Sequence, residues 1–326
     1  MKKFRFLSLL ASLLIFIAII LYINPIEIAD EILRIELKYL VLVFIISNLT
    51  LLVRVAKWWI LLDNVYFKDV IPIQIFGITI SNLTPGKFAE PIKSFLLKMK
   101  EGIPVSKSLP SVILERVLDI LILIILSILG IVGTIGINRN NYSSLLIFST
   151  IFFVFILSLM IFILINKSFG LRIFSFFKKV KFFSFLDDRF INNFYSSTKI
   201  KKRKVITSSI LTIFSWLLDG LIFYLIAISL DKSLAIDLGL LFFCSTLAIS
   251  IIASLLTFLP GGIGGTEALM TYILISIGFE RSTAGAIVLV GRFATLGYSM
   301  ILGYLSFIYL SKVLKINTNT LKLNKN

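Results

Sequence analysis

The chain has 326 residues, 58% of them hydrophobic, with a mean hydropathy of +1.01 and 30 phenylalanines. Too little polar surface exists to cover a soluble core, so the sequence predicts an all-α, polytopic membrane protein forming a single transmembrane domain over 1–326. Histidine is absent and Cys244 is the sole cysteine, which excludes imidazole acid–base chemistry, Ser-His triads, His or Cys metal clusters and intrachain disulfides, so no cofactor or metal is expected. The net charge of +16 comes from 33 Lys and Arg against 17 Asp and Glu. In a membrane protein such a surplus collects in cytoplasmic loops against anionic lipid, so no nucleic-acid partner is expected.

Met1-Lys-Lys-Phe-Arg precedes an apolar run from Phe6 to Ile23, longer than a signal-peptide core of about 7–15 residues and read as a retained first span. The loop Asn24 to Lys38 carries four carboxylates against two cations and is placed outside. Tyr39 to Leu62 is long enough to span, with Arg54 and Lys57 near its inner end, where snorkelling accounts for them. Ile71 to Ser81 is too short to span, and with the break Leu83-Thr-Pro-Gly-Lys-Phe-Ala-Glu-Pro-Ile-Lys93 it reads as a re-entrant hairpin. Non-helical backbone at membrane depth is tolerated only inside protein or beside a wet cavity, so the break itself predicts a cavity.

Pro110 to Ile137 then crosses outward with Glu115, Arg116 and Asp119 in its first third, Asn138 to Tyr142 turns, and Ser143 to Ile165 returns. The segment 166–204 holds 11 Lys and Arg against two Asp and is cytoplasmic by the positive-inside rule. Its interleaved Phe174, Phe176, Phe177, Phe182, Phe183 and Phe185 suit a short helix lying over anionic surface lipid. Val205 to Leu230 crosses with Asp219, a broken apolar stretch from Leu234 to Gly278 follows, and Ala284 to Leu310 crosses inward with Arg292. The count is about six full spans plus two broken or re-entrant helix pairs, in the cell membrane, with both termini cytoplasmic.

The second break, Phe258-Leu-Pro-Gly-Gly-Ile-Gly-Gly-Thr-Glu267, shares the only Pro-Gly dipeptides of the chain with the first. Pro85 lies 31 positions before Arg116, and Pro260 lies 32 before Arg292. This spacing reads as an internal repeat of units 39–137 and 205–310. The first unit starts outside and the second inside, so the repeats are inverted, the common build of secondary transporters with a midplane site lined by broken-helix ends.

A charged side chain at mid-helix costs about 2.5–3.5 kcal/mol on insertion scales, so Glu115, Arg116, Asp119, Asp219 and Arg292 are expected to face protein or water. Two roles stay open at this point. Arg116 and Arg292, with the positive helix ends after Pro85 and Gly265, hold an anionic head group while the carboxylates take a proton or an ammonium; or the charges are internal ion pairs fixing helix register. Glu90 and Glu267 sit near helix starts that stabilise them regardless of ligand, and Thr266 is read as an N-cap. Gly261, Gly262, Gly264 and Gly265 serve the turn or let backbone approach a ligand, the second being favoured because so many at membrane depth exceed what a turn needs.

At these residues the chain resembles the transmembrane region of lysylphosphatidylglycerol synthetases, a flippase-like family. The likeness rests on Leu83-Thr-Pro-Gly-Lys87-Phe-Ala-Glu90-Pro-Ile-Lys93, on Glu115-Arg116 with Asp119, and on Leu259-Pro-Gly-Gly-Ile-Gly-Gly-Thr-Glu267, and covers roughly Phe6 to Leu310. Relatives usually have Arg and a small residue where this chain has Lys87 and Phe88, and no soluble aminoacyltransferase domain follows Leu310. The resemblance implies lipid translocation without lipid modification. Its substrate would be a phospholipid or a polyprenyl-linked or glycolipid carrier. The other function classes are an intramembrane glycosyl or phosphoryl transferase using Glu90, Glu115 and Asp119, and a non-transporting subunit. Partner proteins would be a second copy of the chain or a separate lipid-modifying enzyme.

Overall fold

The computed structural model describes residues 10, 14–18, 20–84, 89–134, 143–178, 188–255, 257 and 259–314. Among them the fold is helical without strands. Lys87, Phe88 and Pro85 lie outside the described residues, as do residues 6–9, 11–13 and 19 of the expected first span, the turn 138–142, Phe182, Phe183, Phe185 and residues 315–326.

The acidic segment expected as a loop is instead helix α1, Pro25–Arg34. Pro25 supplies the fixed φ of a first turn, and the Asn24 side chain caps it by accepting from the Ile26 N–H at 3.1 Å. Helix α2, Leu37–Leu61, follows. The short hairpin arm is longer than the apolar run alone indicates: α3 is Phe67–Asn82, 16 residues, still below the roughly 20 needed to span. Across the first break, α4 is Ile92–Glu101, ended by Gly102 in the left-handed conformation. Helix α5, Val105–Thr134, begins five residues before the expected Pro110. Helices α6, Ser143–Ile165, α7, Lys167–Lys178, and α8, Asp188–Ser197, come next.

The second half opens with α9, Lys202–Leu230, and α10, Lys232–Leu255. Gly239 at φ 73° breaks α10, and the arm beyond it, residues 240–255, is comparable in length to α3. A 3-10 turn at Pro260–Gly262 and helix α11, Gly265–Ile277, complete the second broken pair. Helix α12, Arg281–Arg292, runs through a π turn at Phe293–Gly297 into α13, Tyr298–Val313, giving one rod of 33 residues. Leu37–Leu61, Lys202–Leu230, Lys232–Ser254 and Arg281–Val313 are each long and apolar enough to cross a membrane. Lys232–Ser254 is one of these by length and composition, although Gly239 divides it.

The packing follows one pattern in both halves. Helices α2 and α9 lie against each other along the molecular centre, α5 packs on α10, and α13 packs on α3. Likewise α4 joins α3 to α5 as α11 joins α10 to α12. Close approach is written into small residues: a Cβ on Gly303 of α13 would fall 1.7 Å from Thr79 Oγ1 of α3. Three apolar clusters surround the middle, one around Phe223, Phe243 and Met270, one around Leu123, Ala248 and Ile252, and one around Trp58, Ile73 and Leu97. Large apolar side chains such as Leu37 and Phe155 point outward, while serines, threonines and charged residues are buried. That inverts the soluble pattern and is the arrangement lipid demands.

The basic segment does not simply lie on lipid. Phe190, Ile191 and Phe194 of α8 are buried against Val105 and Leu109 of α5. Tyr195 donates to the Ile163 carbonyl at 2.9 Å, which ties α8 to the end of α6.

Candidate functional site

Between the two broken pairs lies a cavity of about 80 Å³, room for a few waters. Its walls come from α2, α3, α5, α9, α10 and the segment from Gly261 to Leu296, and the Glu90 side chain reaches it from the end of the first break. The two breaks meet at its edge, where the Asn82 carbonyl of α3 stands 3.1 Å from the place a Cβ on Gly261 would occupy. Both intramembrane arginines, Arg116 and Arg292, line it, with Glu90, Glu115, Asp119, Asp219, Gly261, Gly262 and Thr266.

The first half contributes a dense charge network. Lys57 of α2 is 2% exposed and reaches Asp119 Oδ1 at 2.5 Å and Glu115 Oε1 at 3.6 Å, both on α5. Lys93 of α4, 1% exposed, holds Glu115 Oε2 at 2.6 Å, with its ammonium 4.9 Å from the centroid of the Trp58 ring. Gly77 of α3 makes that placement possible, because a Cβ there would meet Lys93 Cγ at 2.3 Å. Gln74 of α3 donates to Glu115 Oε1 at 2.8 Å and to the Arg54 carbonyl at 3.1 Å, and Trp216 of α9 donates to Asp119 at 3.3 Å. Arg54 pairs with Asp219 of α9, its guanidinium 5.6 Å from the Trp216 ring centroid. Four helices of one half thus share one buried polar knot, tied to α9 by two contacts.

Snorkelling therefore does not explain Arg54 and Lys57. They face inward and neutralise the carboxylates of α5 and α9. The signal was charge balance: the apolar runs and breaks hold six carboxylates, at 90, 115, 119, 219, 237 and 267, too many for the two intramembrane arginines, and unpaired charge is not left in a low-dielectric interior. Gln74 was missed as well, for the same reason that it looks like an ordinary polar residue in a short apolar run.

The second half is built differently. Glu267 accepts from the Gly264 N–H at 2.6 Å, closing the first turn of α11, and takes Arg292 Nε at 2.6 Å. Arg292 Nη2 also donates to the Gly261 carbonyl at 3.0 Å, so one arginine clamps both sides of the glycine turn. The N-cap is Gly264 rather than Thr266, whose hydroxyl instead bonds Ser254 Oγ at 2.8 Å across the break. Gly261, Gly262 and Gly264 have φ of 63°, 66° and 87°. The turn itself requires glycine there, without appeal to a ligand. Gly265 begins α11.

Arg116 is the exception among these groups. Its Nε is 3.9 Å from Glu90 Oε2, beyond hydrogen-bond reach, and each side chain is 15% exposed. Of the two open roles, internal pairing thus describes Lys57, Lys93, Arg54 and Arg292, and among the described residues an uncommitted cation and anion remain at Arg116 and Glu90. No group of three or more Asp, Glu or Cys placed to hold a metal occurs among the described residues.

Comparison with known proteins matches this architecture to one family. The sequence model described as lysylphosphatidylglycerol synthase TM region matches residues 9–303. Similar curated proteins include the UPF0104 membrane protein MJ1595 of Methanocaldococcus jannaschii, 24% identical over 93% of this chain and 94% of that protein. The UPF0104 membrane protein PH1989 of Pyrococcus horikoshii is 24% identical over 83% of this chain and 86% of its own length. A UPF0104 membrane protein of Methanothermobacter thermautotrophicus is 24% identical over 90% of this chain and 89% of its own. The chain belongs to the family of the lysylphosphatidylglycerol synthase transmembrane region.

Proposed function

We propose that this member of the lysylphosphatidylglycerol synthase transmembrane family is a lipid translocase, moving a lipid with a phosphate-bearing head group between the leaflets of the cell membrane without ATP. The observation that carries the reading is the charged cavity where two helix breaks meet inside a bundle whose outer surface is apolar. Ionisable residues at membrane depth mark substrate pathways, and irregular backbone is tolerated there because it borders a cavity. The corresponding packing of the two halves supports an inverted repeat, in which exchange of the two conformations gives alternating access. The sequence contains no P-loop to bind a nucleotide.

At about 80 Å³ the cavity is too small for a whole lipid. In this reading the acyl chains stay in the bilayer beside the bundle and the head group passes through the cavity as it widens toward either leaflet. The transferase reading has less support. Glu115 holds two lysines and Gln74, and Asp119 holds Lys57 and Trp216, which leaves neither free to shuttle a proton.

Reconstitution tests the proposal. Liposomes with acyl-labelled fluorescent lipids are treated with an impermeant quencher, and the protein is expected to make inner-leaflet label accessible, doing so without ATP. Protein-containing liposomes that protect the inner leaflet as well as empty ones, for every head group tried, would refute translocation.

A further inference from the structure

The charge inventory of the cavity identifies the class of head group it accepts. The five ion pairs set out above balance five cations against five carboxylates, of which all but Lys93 and Glu267 line the cavity, a formal net charge of zero among the described residues. Three of those pairs close at 2.5–2.6 Å and Arg54 is paired with Asp219, so among the described residues only Arg116 and Glu90, 3.9 Å apart, offer charge to an entering molecule. They offer one cation and one anion side by side.

A purely anionic head group would take Arg116 and strand Glu90, leaving the enclosed site one charge out of balance, where the medium screens poorly. A head group with a phosphate and a cationic amine takes both partners at once, exchanging one loose pair for two close ones with the net charge still zero. A second observation concerns the amine. Gln74 lies in the same wall with both its N–H groups engaged, and its carbonyl oxygen is buried without a donor. A primary ammonium brings three donors for such acceptors, and a quaternary ammonium brings none.

We infer that the cavity selects a zwitterionic head group made of a phosphate diester and a primary ammonium, the phosphate on Arg116 and the ammonium on Glu90. The inference rests on the translocase reading and narrows its substrate.

The test compares acyl-labelled phosphatidylethanolamine, phosphatidylcholine and phosphatidylglycerol in the same liposomes. Wild-type protein is expected to move the ethanolamine lipid roughly tenfold faster than the glycerol lipid, equivalent to about 1.4 kcal/mol, with the choline lipid between them. Glu90→Gln gives the site a net charge of +1 and should invert the preference toward phosphatidylglycerol. Glu90→Gln combined with Arg116→Gln restores zero and should remove that inverted preference. Equal rates for the ethanolamine and glycerol lipids in wild type, or a preference unmoved by Glu90→Gln in a protein that melts normally, would overturn the inference while leaving translocation standing. If no lipid moves, translocation falls, and retention of each lipid by the purified protein in native mass spectrometry decides this claim separately. Selective retention of phosphatidylethanolamine that Glu90→Gln abolishes supports it; equal retention overturns it.

Discussion

Arg292 and Arg116 follow the two Pro-Gly dipeptides at nearly the same distance, yet the halves use them for different work. Arg292 is closed on both sides of its break: Nε on Glu267, Nη2 on the Gly261 carbonyl, and Glu267 in turn on the Gly264 N–H. Arg116 faces Glu90 across 3.9 Å, each side chain 15% exposed. In the first half the tight pairing is done instead by Lys57 and Lys93 on Glu115 and Asp119, which stand one helix turn apart on either side of Arg116 in the sequence. The contrast teaches that a repeated motif fixes where a charge stands, while the neighbours decide whether that charge holds the fold or stays available. One half braces its broken helix with its arginine; the other braces with lysines and leaves its arginine at the cavity.

The most direct way to break this comparison is Arg292→Gln. It strands the buried Glu267 carboxylate and frees the Gly261 carbonyl, so a loss of about 3–5 kcal/mol is expected, read as a large drop in thermal-melt midpoint and in folded yield. An Arg292→Gln protein that melts with wild type would show that the clamp does not hold the fold. A smaller effect is expected from Gly262→Ala, at φ 66°, where the new Cβ would fall 2.5 Å from Ser254 Oγ and 2.7 Å from Thr266 Oγ1. Strain of this kind costs of order 1–3 kcal/mol. Gly102→Ala sharpens the reading, because Gly102 has φ 70° and nothing within 4 Å of its Cβ position. It carries the conformational term alone, and a melt shift as large as that of Gly262→Ala would mean that packing across the second break contributes little.

The sequence made the second break far more legible than the first half's network. Pro260 and the glycines around it announce a turn because few other residues adopt positive φ, and the spacing to Arg292 placed that arginine at the same cavity as Arg116. Long apolar runs announced helices, since their composition suits lipid at almost any rotation. Rotation is what they concealed. Arg54 and Lys57 lie near the end of α2, where a long cationic side chain can equally reach the head groups or turn inward. Only the partners on α5 and α9, distant in sequence, decide between them. Helix α1 was legible all the same: Ile28, Ile32 and Ile35 repeat at i, i+4 and i+7, and Ile28 and Ile35 are buried, a period that the count of four carboxylates masked.

The smallest structural effect and the sharpest functional one belong to Arg116→Gln. At 3.9 Å the pair makes no hydrogen bond, so the variant loses none, whereas Arg292→Gln loses two, and it should melt closer to wild type than Arg292→Gln does. Transport should nevertheless fall steeply, because the cavity then keeps Glu90 and loses its only uncommitted cation among the described residues. Arg116→Lys separates charge from shape: the ammonium retains attraction for a phosphate but lacks the planar two-pronged donor set, so an intermediate rate is expected. Liposome flipping and thermal melting measured on the same preparations decide the matter. A severe melt defect in Arg116→Gln would return Arg116 to the class of Arg292 and erase the difference between the halves; a stable protein that flips lipid at the wild-type rate would take Arg116 out of the transport path.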